Sequence, residues 1–331
     1  MNYSSNDNLT LDAFQGKGIL ITGGAGYLAS ALISLLKEID CRIVRLDRQD
    51  ACRQQMAGRA EITDCYADLR EQTGWHRHLV GIDYIFHFAA QTSAPLANED
   101  PVADHAVNVM PMLQLLEACR QLGTRPTLCF SSTVTVAGIP ERLPVDESHP
   151  DHPVTVYDLH KQMAEQYLRW YGEQGFLHGV TLRLANVYGP GPRSSRSDRG
   201  ILNQMIRRAL AGEPLTVYGT GDQLRDYVYV EDVAAAFLAA ARHCQALNGR
   251  TFVIGTGRGQ TIAQAMRLIA DQASARTGIP VEVRQVAPPE PLSPIEERHF
   301  VADSSRFSSA TGWAAHCTLA EGIERTMEAL S

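Results

Sequence analysis

Short apolar runs alternate along the chain with longer stretches in which apolar residues recur at helical spacing. The first run, Gly18–Thr22, is followed directly by glycines, and apolar residues then recur at helical spacing over 27–38. This order predicts a strand, a tight turn and a helix. Because strands that alternate with helices pair in parallel, the pattern predicts an α/β fold with a doubly wound parallel sheet. The later runs that predict strands lie at 41–46, 62–66, 84–88, 127–131 and 180–184.

The pattern changes near the middle of the chain. Glycine and proline alternate over 189–192, later apolar runs are shorter and more widely spread, and 288–294 is a second proline-rich loop. We therefore expect a polar leader at 1–16, a large domain at 17–186, and a smaller lobe formed mainly by 187–331. Some segments of this last part are expected to return to the large domain.

Composition and charge argue against several classes of protein. The 331 residues carry a net charge of −7 without a lysine-rich tract, which argues against nucleic acid or an acidic membrane as the principal partner. We expect neither a signal peptide nor a membrane anchor, since apolar runs are short and the first residues are polar. The seven cysteines form no Cys-x-x-Cys, which predicts reduced thiols and a cytoplasmic location. His149 and His152 lack a third ligand at metal spacing, so no metal site is expected.

Lysine is rare in this chain, and one of its three lysines, Lys161, follows Tyr157 by four residues. On a helix, residues four apart share one face, so both side chains can project into one pocket. A phenol has a pKa near 10, and it acts as a base at neutral pH only if that pKa falls by roughly 2 to 3 units. A nearby ammonium group supplies such a shift. The pair is therefore a candidate for proton transfer, although this spacing also arises by chance.

A second candidate site follows the first predicted strand. Gly23 and Gly26 permit a tight turn and a close approach of the backbone to a pyrophosphate, and the next helix N-terminus attracts the anion. Asp47 ends the second strand about twenty residues later, where a carboxylate accepts hydrogen bonds from the adenosine ribose. A carboxylate repels a 2′-phosphate, which favours NAD over NADP, whereas Arg48 leaves NADP open. Asp47 could instead be an ordinary residue at a strand end.

Together with these two sites, further motifs resemble the extended short-chain dehydrogenase/reductase family, and within it the NAD-dependent nucleotide-sugar epimerases and dehydratases. The motifs follow the family order over about 17–327, and they include Asp68-Leu69, His87-Phe88-Ala89-Ala90, Asn108 and Phe130-Ser131-Ser132-Thr133. The resemblance implies a Rossmann domain and a smaller C-terminal substrate-binding lobe. It also implies that the cofactor is NAD and that its contacts are Gly23, Gly26, Tyr27, Leu28, Asp47, Arg48, Asp68, Leu69, Phe88, Ala89, Ala90, Asn108, Ser131, Tyr157, Lys161 and Ala185.

The resemblance implies a catalytic role for Thr133, Tyr157 and Lys161. Lys161 would hold the nicotinamide ribose and stabilise the Tyr157 phenolate, which removes a proton from a sugar hydroxyl while hydride passes to NAD. Thr133 would hydrogen-bond that hydroxyl. Family dehydratases carry an Asp-Glu pair directly after this threonine to eliminate water, whereas this chain has Val134-Thr135. The resemblance therefore favours epimerisation at C4.

For the substrate, a nucleotide-diphosphate sugar, the resemblance implies contacts mainly in the smaller lobe. Arg225 and Arg298 match two arginines that clamp the pyrophosphate, a task that suits the planar guanidinium group. Arg193, Arg196 and Arg199 form a basic loop that either closes over the ligand or is simply solvated. The implied substrate contacts are Ser93, Thr133, Asn186, Thr216, Tyr218, Arg225 and Arg298.

Two other functions stay open. A 4-ketoreductase or a dehydratase of deoxysugar synthesis would use the same residues, and a nucleotide-sensing protein would need only the glycine turn and Asp47. The resemblance also suggests a homodimer formed through the helices at 101–122 and 155–173, although their apolar faces could be satisfied internally. His160 replaces a small residue of the family, and it is expected to face solvent or an interface.

Overall fold

The structure, a computed structural model, describes residues 11–48, 56–71, 74–192, 200–288 and 294–330. Its strands are β1 (Gly18–Thr22), β2 (Arg42–Asp47), β3 (Glu61–Tyr66), β4 (Tyr84–His87), β5 (Thr127–Thr133), β6 (His178–Leu184), β7 (Asn186–Tyr188), β8 (Leu215–Tyr218), β9 (Leu224–Tyr229), β10 (Arg250–Ile254), β11 (Gly259–Thr261) and β12 (Val283–Val286). Its helices are α1 (Tyr27–Leu36), α2 (Trp75–His78), α3 (Ala94–Glu99), α4 (Pro101–Asn108), α5 (Met110–Leu122), α6 (Val156–Glu173), α7 (Ile201–Leu210), α8 (Val230–Arg242), α9 (Cys244–Leu247), α10 (Ile262–Thr277), α11 (Pro294–Glu297), α12 (Ser305–Thr311) and α13 (Leu319–Leu330).

The main sheet has the strand order β10-β6-β5-β4-β1-β2-β3, and every neighbouring pair in it is parallel. The predicted doubly wound parallel sheet is therefore confirmed. The strands from β1 to β6 correspond to the six apolar runs of the sequence. β10 comes from the later part of the chain and lies at the sheet edge beside β6, so this part of the chain contributes to both lobes.

Alternate residues of the central strands pack into two cores, one on each face of the sheet. Ile19 and Ile21 of β1 share a core with α1 and α8, whereas Leu20 packs into a second core with α5 and α6. Fully burying such a side chain stabilises the fold by about 1.5–3 kcal/mol. Because helices cover both faces, the strands are nearly continuous apolar runs rather than alternating ones.

The smaller lobe has its own core. In it β9 lies between β7, which is parallel to it, and β11, which is antiparallel, while β8 pairs with β12. Helices α7, α10 and α13 pack around Ile206, Ile269 and Ile323. Ala185 alone separates β6 of the main sheet from β7 of the lobe. The chain therefore passes between the lobes at the carboxyl end of a central strand.

Two details differ from the sequence pattern. The helical stretch at 101–122 is two helices, because Pro111 in the first turn of α5 has no amide hydrogen to continue the bonding of α4. The last residues of the predicted leader form a 3₁₀ turn, Leu11–Phe14, whose Phe14 ring packs on Tyr84 of β4 at 4.9 Å between centroids.

The domain boundaries stay a prediction. Within the described residues, none of the helices combines the length and the apolar character needed to cross a membrane.

Candidate functional site

A cleft of about 1340 Å³ lies where the central strands of the main sheet end. The carboxyl edge of an open α/β sheet is the usual place for a ligand. The cleft contains most of the cofactor and catalytic residues that the sequence singles out. Those that line it are Gly23, Gly26, Tyr27, Leu28, Asp47, Arg48, Asp68, Leu69, Phe88, Ala89, Ala90, Ser131, Thr133, Tyr157, Lys161 and Ala185.

The glycine turn between β1 and α1 fits a pyrophosphate. Gly23 has φ +67°, and a Cβ there would lie 2.8 Å from the amide nitrogen of Ala89. Gly26 precedes the first residue of α1, and its Cβ would lie 2.8 Å from the carbonyl oxygen of Gly23. Neither position accepts a side chain. Both glycines line the cleft, so the backbone of the turn faces a ligand beside a helix N-terminus, which attracts an anion.

Two carboxylates lie at the other side of this turn. Asp47 accepts hydrogen bonds from the backbone amides of Ala25 at 2.9 Å and of Arg48 at 2.8 Å. Asp68 follows β3 and pairs with Arg70, whose hydrogen bonds hold the pKa of this carboxyl below its usual range. Both carboxylates line the cleft. The carboxylate of Asp47 suits the hydroxyl groups of an adenosine ribose and would repel a 2′-phosphate, which fits NAD.

Thr133, Tyr157 and Lys161 also line this cleft. Thr133 ends β5, while Tyr157 and Lys161 lie one turn apart at the start of α6. Lys161 is only 2% exposed. Burial lowers its pKa to about 8, although the charges of Glu165 and Asp104 oppose this shift. The ammonium group is therefore mostly protonated at neutral pH, as stabilising a nearby phenolate requires.

The prediction for His160 is wrong, because this residue faces neither solvent nor an open surface. It is 7% exposed, and its Nδ1 lies 2.7 Å from Oδ2 of Asp104 on α4. The other oxygen of Asp104 accepts from the side chains of Gln91 at 2.8 Å and Asn108 at 3.0 Å. The sequence does contain a signal for this buried pair. Asp104 lies four residues before Asn108, so both polar side chains lie on one face of α4.

Asn108 lies behind the wall of the cleft rather than in its lining. Its side-chain oxygen accepts from the backbone amide of Gln91 at 3.1 Å, and its amide nitrogen donates to the carbonyl oxygen of Gln91 at 2.9 Å. Gln91 does line the cleft. Asn108 therefore fixes the backbone that follows β4.

A buried ion network lies one turn further along α6. Glu165 accepts from the hydroxyl of Ser132 and pairs with Arg183 of β6, with Nη2 and Oε2 2.6 Å apart. The same guanidinium group donates to Asp151 at 2.8 Å. Because Glu165 follows Lys161 by four residues, this carboxylate lies on the same helix face as Lys161. The sequence pattern did not indicate it.

A further polar group lies behind Thr133. The Oγ1 atoms of Thr133 and Thr135 are 2.8 Å apart, and the Thr135 hydroxyl donates to Asp158. Oδ2 of Asp158 accepts from the backbone amide of Thr155 at 3.2 Å, and Oγ1 of Thr155 accepts from the backbone amide of Asp158 at 3.2 Å, which together form the capping box of α6. The Thr155-x-x-Asp158 spacing indicates a helix start. The contact with Thr135 depends on tertiary packing and carries no local signal.

Several predicted substrate residues lie outside the lining of the cleft. Arg225 donates to the carbonyl oxygens of Leu224 at 3.1 Å, Glu296 at 2.6 Å and Arg298. The Nη1 of Arg298 donates to the carbonyl oxygen of Ile295 at 2.7 Å. Arg193, Arg196 and Arg199 lie outside the described residues. The others that do not line the cleft are Ser93, Asn186, Thr216 and Tyr218.

Helix α7 supplies lining residues that sequence reasoning missed. Asn203, Gln204 and Arg207 face the cleft from the smaller lobe. Asn203 donates to the hydroxyl of Tyr27 at 3.3 Å and accepts from the amide of Gly189 at 3.0 Å, so it links the lobes. Asn203 and Arg207 are four residues apart on one helix, and this spacing could have indicated a shared polar face.

Three comparisons with known proteins agree with this geometry. Residues 19–255 match the model of the NAD dependent epimerase/dehydratase family. A UDP-glucose 4-epimerase of Mycolicibacterium smegmatis is 31% identical over 315 residues, which cover 93% of this chain and 97% of that protein.

Two solved structures are also similar. The UDP-glucose 4-epimerase of Thermus thermophilus in complex with NAD is 32% identical, with a TM-score of 0.79 over 94% of this chain and 98% of that one. The UDP-glucose 4-epimerase of Thermotoga maritima with UDP-glucose is 29% identical, with a TM-score of 0.82 over 95% and 98%. The chain therefore belongs to the NAD-dependent epimerase/dehydratase family of the extended short-chain dehydrogenases/reductases, and it is an enzyme with NAD as its cofactor.

Proposed function

We propose that the enzyme epimerises a nucleotide-diphosphate sugar at C4, with Thr133, Tyr157 and Lys161 as its catalytic residues. The observation that carries this proposal is that all three side chains line the same cleft as the glycine turn. The names of the similar proteins support the substrate class, since UDP-glucose 4-epimerases act on a nucleotide sugar.

The proposed mechanism gives each side chain one task. When bound, NAD would supply the hydride acceptor and donor for the sugar carbon. Lys161 would donate to the nicotinamide ribose, and its charge stabilises the phenolate of Tyr157 one helical turn away. Tyr157 removes the proton of the sugar hydroxyl and returns it after the oxidised sugar ring has rotated in the cleft. Thr133 hydrogen-bonds the same hydroxyl and holds it against the phenolate.

The two residues directly after Thr133 favour C4 chemistry over elimination. Val134 and Thr135 carry no carboxyl group, whereas loss of water from the sugar requires an acid for the leaving hydroxyl and a base for the carbon. Transient oxidation at C4 requires neither. A dehydratase or a 4-ketoreductase remains the alternative enzyme. The identity of the product distinguishes these two enzymes from an epimerase.

We also propose that the sugar diphosphate extends into the smaller lobe. Among the described residues, Nε of Arg298 and Oδ1 of Asn186 are buried without a hydrogen-bond partner. Such groups are costly unless a ligand satisfies them, and phosphate oxygens suit the guanidinium group. Arg225 would exchange its carbonyl partners for phosphate oxygens. The remaining proposed contacts are Ser93, Thr216 and Tyr218.

The test is product identification in deuterated water. The enzyme is incubated with a panel of nucleotide sugars that includes UDP-glucose, and the products are identified by NMR. Hydride return gives the C4 epimer without solvent deuterium on carbon. Deuterium at C3, C5 or C6 would contradict the C4 assignment and support enolising or eliminating chemistry, while net consumption of NADH would support a ketoreductase.

Tyr157→Phe is the matched variant for this test. It keeps the ring and removes only the hydroxyl group that takes the proton. We expect it to lose nearly all turnover while it still binds NAD, because the glycine turn is untouched. A nucleotide-sensing protein would keep its function in this variant.

A homodimer through α4, α5 and α6 is part of the proposal. These helices expose apolar side chains in the single chain, among them Val102, Leu159 and Trp170, the last with 51% of its surface exposed. Burying such a patch against a second copy would remove apolar surface from water. Light scattering after size-exclusion chromatography should give twice the mass of the chain, and Trp170→Glu should give monomers. A monomeric wild type would contradict the dimer.

The proposed compartment is the reducing cytoplasm. Within the described residues, the buried cysteines form no disulfide bond; they are Cys41, Cys119, Cys129, Cys244 and Cys317. Burial raises the pKa of the Cys119 and Cys244 thiols to about 12, as expected of inert core residues. Thiol titration of the denatured, unreduced protein should detect all seven cysteines of the sequence. Protection of a pair of them would contradict this assignment.

A further inference from the structure

The glycine and proline segment at 189–192 of the smaller lobe lies against the start of α1. Gly191 has φ +155°, and a Cβ there would lie 2.5 Å from Cδ2 of Tyr27. Tyr27 is the first residue of α1 and directly follows Gly26 of the glycine turn. The backbone of the segment therefore packs on the ring of a residue that adjoins the site expected for a pyrophosphate.

Two side chains of α7 contact the same region. Nδ2 of Asn203 donates to the hydroxyl of Tyr27 at 3.3 Å, and its Oδ1 accepts from the backbone amide of Gly189 at 3.0 Å. One turn later, Nη2 of Arg207 donates to the carbonyl oxygen of Gly191 at 3.4 Å. Both side chains line the cleft. Helix α7 thus presents an amide and a guanidinium group to the cleft where the two lobes meet.

The positive charge of Arg207 acts on Tyr27. Burial raises the pKa of the Tyr27 phenol, whereas the hydrogen bond from Asn203 and the charge of Arg207 oppose this shift. Together with the contact to Gly191, this places the guanidinium group beside the ring of Tyr27. Gly26, the N-cap residue of α1, has no side chain to cap the first amides of the helix. A helix N-terminus and a nearby cation both attract an anion.

A basic residue in the last turn of a helix can also interact merely with the helix dipole. Arg208 has that arrangement, because its Nε lies 3.1 Å from Oε2 of Glu213 and its Nη2 donates to the carbonyl oxygen of Pro214 at 3.1 Å, both beyond the end of α7. Consecutive helical residues point about 100° apart. Arg207 accordingly contacts Gly191 instead, on the side of the cleft.

A guanidinium group supplies what the glycine turn lacks. The turn offers backbone amides and the partial positive charge of a helix N-terminus. Arginine adds a full charge and a planar fork of donors that fits phosphate oxygens. Because the guanidinium group has several N–H groups, Arg207 can keep its bond to the carbonyl oxygen of Gly191 while it binds phosphate oxygens.

We propose that Arg207 binds the pyrophosphate of NAD from the smaller lobe, and that Asn203 positions Arg207 by holding α7 against Tyr27. The cofactor is then bound from two sides, by the glycine turn and α1 on one and by α7 on the other. Asn203 is a positioning residue, because its contacts are with Tyr27 and Gly189. The inference rests on NAD as the cofactor and is independent of the assignment to C4.

The first test measures the release of NADH from the holoenzyme. The enzyme is loaded with NADH and mixed with excess NAD, and the loss of NADH fluorescence gives the rate. We expect Arg207→Gln to release NADH at least about tenfold faster than the wild type. Arg207→Lys keeps the charge without the fork and should fall between the two. A wild-type rate in Arg207→Gln would overturn the proposal.

The matched control for this test is Arg267→Gln. Arg267 is an exposed arginine of α10, a helix that packs on α7, and it is not among the residues that line the cleft. This variant loses the same charge from the smaller lobe and should keep the wild-type rate. Equal accelerations in Arg207→Gln and Arg267→Gln would mean that the net charge of the lobe, and not a contact of Arg207, controls release.

Calorimetric titrations identify the group that Arg207 binds. In Arg207→Gln, the Kd values of NAD and of ADP-ribose, which share the pyrophosphate, should rise by about tenfold or more, while that of adenosine stays within about twofold. Retained adenosine binding also shows that the variant is folded. An equal loss for adenosine would mean that Arg207 acts through the fold, which would overturn the proposal.

UDP distinguishes the cofactor from the nucleotide sugar, whose diphosphate is the other source of the same chemistry. Its Kd should stay within about twofold in Arg207→Gln. A weaker affinity for UDP with an unchanged affinity for NAD would assign Arg207 to the sugar diphosphate and overturn its assignment to the cofactor.

Tyr27→Phe tests the positioning role of Asn203, because it removes only the hydroxyl that accepts from this side chain. We expect NADH release about threefold faster than in the wild type, and no further acceleration when Arg207→Gln is already present. The same acceleration in both backgrounds would show that the bond between Asn203 and Tyr27 does not act through Arg207.

The binding measurements separate this proposal from the proposed function. A wild type that shows the expected dependence on Arg207 but converts none of the nucleotide sugars would overturn the epimerase function and leave the role of Arg207 intact. An active epimerase whose NAD affinity and NADH release do not depend on Arg207 would overturn the role of Arg207 alone.

Discussion

The ammonium group of Lys161 lies over the ring of Phe130, with Nζ 4.3 Å from the ring centroid. A ring face attracts a cation but does not neutralise it. The carboxylates whose charges act on Lys161 are those of Glu165 and Asp104. The ring of Phe130 therefore contacts the ammonium group, whereas Glu165 and Asp104 act on it through their charges. Burial remains the largest influence on the pKa of Lys161.

The first prediction concerns the titration of Lys161. Burial lowers its pKa from 10.5 to about 8, so between these pH values the unfolded chain binds a proton that the folded chain has lost. The folded state therefore gains roughly 3 kcal/mol of stability as pH rises from 8 to 10.5. Lys161→Met should remove this gain. Urea unfolding of both proteins at pH 7 and 10.5 measures it, and an unchanged difference between them would refute the assignment.

The second prediction concerns Gly23 and has a matched control in Gly123. Their φ angles are +67° and +65°, so alanine introduces similar backbone strain of about 1 kcal/mol at each. A Cβ at Gly23 would also lie 2.8 Å from the amide nitrogen of Ala89, whereas none of the atoms described lies within 4 Å of a Cβ at Gly123. We expect Gly23→Ala to weaken NAD binding by at least about tenfold and Gly123→Ala to leave it unchanged. Calorimetric titration with NAD decides this, and equal affinities would show that the turn does not hold the cofactor.

Local spacing predicts the fold, the glycine turn and the pair of Tyr157 and Lys161, whereas most of the other residues that line the cleft are implied only by the family resemblance. The glycine turn after β1 and the four-residue spacing of Tyr157 and Lys161 are short-range patterns, and the backbone of one strand, turn or helix determines where such residues point. The doubly wound sheet follows from alternating apolar runs in the same way.

Contacts between distant segments were not predictable. His160 is buried because Asp104, 56 residues earlier, lies on a neighbouring helix and accepts its hydrogen bond. Asp158 meets Thr135 only because the turn after β5 packs against the first turn of α6. A single sequence does not specify such pairs. Helical periodicity indicates which face of a helix is buried, but not which side chain of another element packs against that face.

The third prediction concerns His160 and its carboxylate partner. His160→Phe preserves the ring but leaves Oδ2 of Asp104 buried without its present donor. We expect the free energy of unfolding to fall by about 1–3 kcal/mol. His105, whose ring centroid lies 5.3 Å from that of His160, is the control, because His105→Phe keeps the ring contact and the hydrogen bond to Asp104. Similar losses in both variants, measured by urea unfolding, would mean that ring packing and not the hydrogen bond stabilises this site.

The fourth prediction concerns the network of Glu165, Arg183 and Asp151. Arg183→Met removes the cation that pairs with both carboxylates and leaves Glu165 buried without the guanidinium group that binds it, which typically costs about 3–5 kcal/mol. Adding Glu165→Gln removes the buried charge, so the double variant should recover part of this stability in urea unfolding. A double variant less stable than Arg183→Met would contradict the electrostatic explanation.

Glu165→Gln alone should also act on catalysis, through Lys161. The charge of Glu165 raises the pKa of Lys161 against the effect of burial, so its removal should lower that pKa further below about 8. A larger fraction of the lysine would then be neutral near pH 7.5, and the phenolate of Tyr157 would lose part of its stabilisation. We expect the alkaline limb of the kcat profile to move to lower pH, with kcat at pH 6.5 less affected. A limb that stays in place would show that Glu165 stabilises the fold without influencing Lys161.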